Sequence, residues 1–392
     1  MCLNLTSADV VVRPIVLRVT TLKASGAGSF REGLEDRRPR LIVFEVGGVI
    51  DLDGKSLLVR NPYLTVAGQT APDPGITLIR GGLIVETHDV TIQHLAVRPG
   101  DRSVGAPDAL GTHRGNAGPV HHVVFDHCSA TWGIDENLSA SGPEDVDSSR
   151  DPDATSHDIT LRNCLIAEGL SHANHPKGEH SKGTLIHDGV RNVVITGCVY
   201  AHNRERNPRL KGGTTSTISG NVMYNWGSAC IGIGSRGNQR TLQPAEALIT
   251  DNVAIPGPDT RYRRLIKDVD PGGRATLRNN GTTDREHLLP LLRAGSRPAR
   301  RDPIDRRIVR SIVDGTGRII NSQEDVGGYP VRPATRRALV VPDDLLERQR
   351  WLDALSRDLS EDKTLDLAPL LKTLHHRGTE STETFVSSVS LW

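Results

Sequence analysis

The chain has 392 residues, room for one large domain or two ordinary ones. Aromatic residues make up only 3% and Met occurs twice, against 39 Gly and 23 Pro, which excludes a thick aromatic core and favours a narrow one of small and β-branched side chains. The 48 basic and 47 acidic residues leave a net charge of +1, so no global field attracts nucleic acid or an anionic membrane, and charge recognition must be local.

In chain order, the N-terminal stretch MCLNLTSADVVVRPIVLRV lacks the charged start, apolar block and small-residue cleavage site of a signal peptide. Residues 1–18 are expected to form a tail. No apolar run approaches the ~20 residues that span a membrane. From His88 a pattern begins. HDVTIQHLA, HHVVFDHCS from His121, HDITLRNCL from His157 and RNVVITGCV from Arg191 align without gaps. PYLTVAGQT is an earlier copy, and TSTISGNVM, EALITDNVA and RATLRNNGT are looser later ones. Each copy is a turn, a short β-branched strand, a polar residue, and a Cys or Asn.

A repeat of about 20 to 40 residues signals a solenoid. Strand signals with Gly, Asn and Asp turns, and no amphipathic helix between them, fit a parallel β-helix better than any helical repeat. Variable spacing then means loops of different length leaving one corner, which is where a site is built. Of the five cysteines, Cys2, Cys128, Cys164, Cys198 and Cys230, none forms a CxxC pair and the count is odd. A structural zinc site or a fully paired disulfide framework is therefore disfavoured. Cys128, Cys164 and Cys198 share one repeat position and are expected to stack inside the coil as small hydrophobes, with Asn taking that place later. After residue 285 the pattern changes. DPIDRRIVRSIVDGTG and PDDLLERQRWLDALSRDL read as short helices covering the solenoid end. The expected organisation is an all-β solenoid over 19–285, a helical and irregular C-terminal segment over 286–360 that caps it, and a tail over 361–392.

Several ordered motifs carry a family resemblance: PYLTVAGQTAPDPGITL, VRPGDRSVGAPDALG, VVFDHCSATWGIDENLS, GEHSKGTLIHD, HNRERNPRLKGG and VMYNWG, with GRIINSQEDVGGYP further on. Together they resemble the pectate lyase family of polysaccharide lyases, over roughly residues 19 to 332. The resemblance implies a right-handed single-stranded parallel β-helix, a Ca²⁺ ion in the cleft, and β-elimination of polygalacturonate (pectate). It also implies an extracellular enzyme, since polymeric pectin lies outside cells, and a monomer is expected.

Residue by residue, Asp108 matches the aspartate of the family's ligand motif, Glu136 a carboxylate of the neighbouring coil, and Asp135 is adjacent. These three are the expected calcium ligands, because calcium takes hard oxygens from separated loops. Where many members have an acidic residue before Gly, this chain has Trp132 and Gly133, so one expected ligand is missing or relocated. Asp126, in the Asp-His pair, reads as structural support. Lys182 matches the lysine that contacts a substrate carboxylate, a role that suits a point charge. His180 shares a face with it in an extended chain and is either a hydrogen-bonding shoulder or a catalyst. His172, His175 and His187 lack the HExxH spacing of a zinc site.

Arg206, Pro208 and Lys211 match the family's Arg-x-Pro-x-x-Arg, with Lys211 in place of the second arginine. Arg206 is thereby the expected base at C5 of the uronate. A guanidinium holds its proton above a pKa of ~12 unless other cations crowd it. Lys211 is expected to stabilise charge, and Arg209 either grips a carboxylate or pairs structurally. Two other readings stay open: a polygalacturonase-like hydrolase using Asp126, Asp135 and Glu136, and a non-catalytic uronan-binding solenoid. Nucleic-acid binding is excluded by the neutral charge and scarce aromatics.

Overall fold

The computed structural model describes residues 14–113, 118–142, 154–234, 244–262, 265–269 and 273–282. The expected helical cap and tail over 286–392 lie outside the described residues, as does most of the N-terminal tail. The chain winds as a parallel β-helix. Each full coil contributes one strand to each of three parallel sheets, of ten, nine and eight strands. Parallel crossovers between right-twisted strands close right-handed, and that sets the hand of the coil.

The repeat copies seen in the sequence are the strands of the ten-stranded sheet, including Val90–Gln93, His121–Asp126, His157–Arg162 and Arg191–Thr196. Their alternation places one row inward in every coil. Ile92 pairs with Phe125, Phe125 with Leu161, Leu161 with Ile195 and Ile195 with Ile218, all of them buried. The sheet begins at Ile15–Val19, so the solenoid starts four residues before the expected boundary at 19.

The other two sheets use shorter strands. The nine-stranded sheet follows at once, as in Ser129–Thr131 after His121–Asp126. The eight-stranded sheet holds Leu110–Thr112, Leu138–Ala140, Leu185–Ile186 and Arg209–Leu210. Runs of two or three residues carry no readable period of two, which is why the sequence marked only one strand per coil.

The corners repeat as strictly as the strands. Between the ten- and nine-stranded sheets, His94, His127, Asn163, Gly197, Gly220, Asp251 and Asn279 all have φ between 48° and 64°. Gly, Asn, Asp and His recur there because they tolerate the left-handed region best. Just inside this corner Cys128, Cys164 and Cys198 stack as free buried thiols, as expected from the repeat. Asn221, Asn252 and Asn280 continue the same row. Asn221 Nδ2 donates to Asn252 Oδ1 at 2.9 Å and Asn252 Nδ2 to Asn280 Oδ1 at 3.0 Å. Each also donates to a strand carbonyl of the preceding coil, those of Ile195, Ile218 and Ile249.

A helix over Phe30–Glu35 covers the N-terminal coil with buried Phe30 and Leu34. Ser29 caps it by accepting from Glu32 N–H, and Glu32 accepts from Gly28 N–H. This helix was not among the elements expected from the sequence, although Ser29 and Glu32 stand at Ser-x-x-Glu spacing. The buried Arg40 guanidinium closes its C-terminal end by donating to the Gly33 and Leu34 carbonyls, each at 2.9 Å.

Asn252→Ala removes two ladder bonds and strands the buried Asn221 N–H that Asn252 accepts from at 3.0 Å. The expected cost is about 2–3 kcal/mol, read as a fall in the urea midpoint at unchanged slope. An unchanged midpoint means the ladder does not hold the coils.

Candidate active site

One register position, just ahead of the strands of the eight-stranded sheet, collects Asp108, Glu136 and Lys182 of the expected site. The pairing of Leu110 with Leu138 sets Asp108 beside Glu136. Isolated parallel bridges then link Glu136 to Lys182 and Lys182 to Glu205. The next step is irregular. Ile186 pairs with Leu210, yet Lys182 pairs with Glu205 rather than Arg206. One extra residue is therefore bulged out between Glu205 and Arg209. Arg206 stands in this bulge at a φ of 65°, an unfavourable region for arginine. Bulges re-aim side chains, and this one sends the Arg206 guanidinium back across the row onto Glu136.

The charges meet in opposite pairs. Arg206 contacts Glu136, Lys182 contacts Glu205, and Arg204 contacts Glu179. Asp108 accepts from the Glu136 N–H at 2.9 Å and from the Ser139 hydroxyl. Asp135 takes His180 Nε2 at 2.7 Å. The His175 ring stacks on His180 with centroids 3.7 Å apart, and Lys177 N–H donates to His175 Nδ1 at 3.0 Å.

Burial governs the proton affinities. It pushes Asp108 up to about 7, with the Ser139 hydrogen bond opposing and the Asp135 charge adding. Burial would raise Asp135 too, but the His180 hydrogen bond, with His180 and Arg206 charge, outweighs it and holds that carboxyl below its ordinary value. Burial lowers Lys182 to about 8, helped by Arg204. It also lowers Arg206, against the pull of Asp135 and with the push of Arg209. Oxygens of Asp108, Asp135 and Glu136 lie within 4.8 Å of one another. Three hard, mutually repelling donors of this kind suit a hard divalent cation.

Behind the row runs a second amide ladder. Asn137 Nδ2 donates to Asn203 Oδ1 at 2.9 Å, and Asn203 Nδ2 to Asn207 Oδ1 at 3.0 Å. Asn137 follows Glu136 and Asn207 follows Arg206, so the buried amides fix the backbone beneath both ionic partners. The sequence reading missed these asparagines. It also missed Glu205 and Ser139, and it weighed His175 only as a zinc ligand. The recurrence of Asn in DENLS, AHNRERN and YNWG was the available signal.

Other expected residues lie elsewhere. Lys211 sits at the far end of its strand, 3.0 Å from Asp188 Oδ2 and 3.2 Å from His187 Nε2. The Arg209 side chain crosses the outer face of the sheet over Gly232 and donates to the Gly234 carbonyl at 2.7 Å. Asp126 stands at a different corner with Arg162, Gln93 and His127. Burial would raise it, but those partners hold it down at about 2. Trp132, where a ligand was expected, is buried and donates to Glu168 Oε2 at 3.0 Å.

No protein-family model matches the chain. Over 244 residues, 62% of its length, it is 34% identical to a curated protein of Neosartorya fischeri named probable pectate lyase C. A protein of the same name from Aspergillus terreus is 34% identical over 245 residues. The chain spans about half the length of the curated relatives it matches, 50% of each of these two. Among solved structures, the cedar pollen allergen jun a 1 aligns with 83% of this chain and 89% of its own, at 15% identity and a TM-score of 0.48. A pectate lyase bound to hexasaccharide aligns with 68% and 80%, at 12% identity and a TM-score of 0.45. With TM-scores this low, the fold stands on the strand order given above. Fold and site define a parallel β-helix protein with a row of carboxylates and cations at one sheet edge. Through the matched stretch, the chain is similar to proteins named probable pectate lyase C.

Asn203→Ala leaves the Gly169 N–H and the Asn137 amide without their shared acceptor, at 3.0 and 2.9 Å in the structure. The expected loss is about 2–3 kcal/mol in urea unfolding. If stability does not change, the amides are not the support of the row.

Proposed function

We propose that the chain is a pectate lyase, cleaving de-esterified polygalacturonate by calcium-assisted β-elimination. The observation that supports this best is the bulged Arg206, whose proton affinity is lowered by burial, turned onto the row that holds Lys182 and three convergent carboxylates. Asp108, Asp135 and Glu136 would hold the ion. Bound there, calcium would supply positive charge that neutralises these carboxylates and withdraws electrons from a uronate carboxylate.

The protein's own groups do the rest. Lys182 exchanges Glu205 for the substrate carboxylate, like for like. Arg206, released from Glu136, first gives one guanidinium proton to solvent, which its burial favours, and as a neutral guanidine takes the proton from C5 of the uronate. The C5–H electron pair becomes the C4=C5 double bond, the C4–O bond breaks, and the departing oxygen takes up a proton from solvent. Lys182 and the Arg206 guanidinium stabilise the enediolate character that develops at the carboxylate. No water enters the bond cleavage, which separates this reading from a hydrolase. Asp126 is committed to Arg162 at another corner, which leaves a hydrolase fewer carboxylates. Polymeric pectate lies outside cells, so the proposed place of action is extracellular. Among the described residues no helix is long and apolar enough to cross a membrane.

Polygalacturonate incubated with the protein and calcium is expected to gain the ultraviolet absorbance of a 4,5-unsaturated product, and excess chelator to abolish it. Arg206→Ala is expected to lower kcat by about 10²–10⁴-fold with substrate binding retained. Reducing ends without absorbance would mean hydrolysis, and binding without turnover would mean a lectin-like solenoid.

A pH prediction follows from Lys182. Its ammonium loses its charge as pH rises through about 8, while a uronate stays ionised. The Kd for trigalacturonate, measured calorimetrically in chelator, is therefore expected to rise above that pH. Lys182→Arg moves this limb upward because a guanidinium stays protonated. A flat profile in the native protein removes Lys182 from the carboxylate contact.

A further inference from the structure

Another corner of the solenoid carries chemistry that the proposed reaction does not use. Where each coil enters the ten-stranded sheet, His88, His121 and His157 occupy one position on three successive coils. Their rings stack in parallel, His88 on His121 at 4.7 Å and His121 on His157 at 5.1 Å, with interplanar angles of 6° and 5°. Pro62 precedes the row and Arg191 follows it, so the imidazoles form a bounded trio.

Hydrogen bonds determine which nitrogen of each ring carries the proton. His88 Nδ1 faces Asp89 Oδ2 at 2.7 Å, and His157 Nδ1 faces Asp158 Oδ2 at 2.8 Å. A carboxylate only accepts, so both Nδ1 atoms are protonated and both neutral rings keep a lone pair on Nε2. His121 Nδ1 lies 2.8 Å from His122 Nδ1, so one nitrogen of this pair donates to the other. With His121 as the donor, all three rings of the row present unprotonated Nε2 atoms in register.

A histidine whose Nδ1–H is held by a carboxylate while Nε2 is open is the arrangement that protein metal ligands adopt. We propose that His88 and His121 bind a borderline divalent cation of the zinc class through Nε2, with Asp89 beside them. Oxygen-seeking calcium is the wrong ion for paired imidazoles. Zn–N bonds of about 2.0–2.1 Å set tetrahedral ligands about 3.3 Å apart. The stacked rings, parallel within 6°, must therefore rotate out of the stack until their in-plane Nε2 lone pairs converge on the ion. The His88, Asp89 and His121 donor atoms already lie within 4.8 Å of one another.

A second trio, Asp135, His175 and His180, has equally close donors but fails the proton test. Lys177 N–H donates to His175 Nδ1, so the neutral ring carries its proton on Nε2, the atom that faces Asp135. That trio orients Asp135 and does not chelate zinc.

The test is calorimetric titration of the full chain with zinc chloride at pH 7, in excess calcium so that the carboxylate site is saturated. One zinc is expected to bind with micromolar affinity. His121→Gln and His88→Gln are each expected to weaken it at least tenfold, and His180→Gln to leave it within twofold. Far-UV circular dichroism checks that the variants fold, and if one does not, the other carries the comparison. Zinc is also expected to raise the Tm of the native chain and not that of His121→Gln. No binding below millimolar zinc, or native affinity in His121→Gln, overturns the site. Loss of binding in His180→Gln instead places zinc at Asp135 and overturns it equally.

Discussion

Strict stacking in register is the constraint on which everything else in this molecule depends. Neighbouring coils are joined by parallel strands about 4.8 Å apart. A residue at one position therefore meets the residue at the same position one coil later, and nothing else. Like must then be compatible with like. Apolar rows solve this by packing, as Ile92, Phe125, Leu161 and Ile195 do. Amide rows solve it because asparagine both donates and accepts, so Asn221, Asn252 and Asn280 satisfy one another in a line. Imidazole rows solve it by stacking and by handing each Nδ1 proton to a neighbouring acceptor.

Charged rows have no such solution, and the candidate active site shows the consequence. A row of identical charges 4.8 Å apart repels itself in a partly dry environment. Asp108 beside Glu136 is the case in point, and the raised proton affinity of Asp108 records its burial and the nearby Asp135. Further along, the row changes sign at Lys182, returns to negative at Glu205, and is completed by Arg206 from the bulge. The bulge breaks register where a cation is needed opposite a carboxylate two coils away. A regular coil would have set Arg206 directly beside Lys182 instead.

The amide ladder under this row explains how such a cluster keeps its shape. Asn137, Asn203 and Asn207 are buried, hydrogen-bonded to one another, and directly linked in sequence to Glu136 and Arg206. Their bonds do not depend on protonation or on a bound cation. The ionic partners above them can therefore part and re-pair without the backbone giving way.

The ten-stranded sheet was legible in the sequence because its strands are four to six residues long and their turn residues recur. That same recurrence foretold the stacked cysteines and the asparagines that follow them. The carboxylates Asp108, Asp135 and Glu136 and the cations Lys182 and Arg206 were legible as motif positions. Which of them touch was not. Sequence order sets Lys211 five residues from Arg206, yet a strand carries it to Asp188, while Glu205 reaches Lys182. The sequence by itself determined the repeat, the narrow core and the chemical types available at each corner, because these are local and periodic. Only the tertiary structure decided the pairing, because one bulged residue shifts the register of a coil, and in a stacked solenoid the register is what chooses every neighbour.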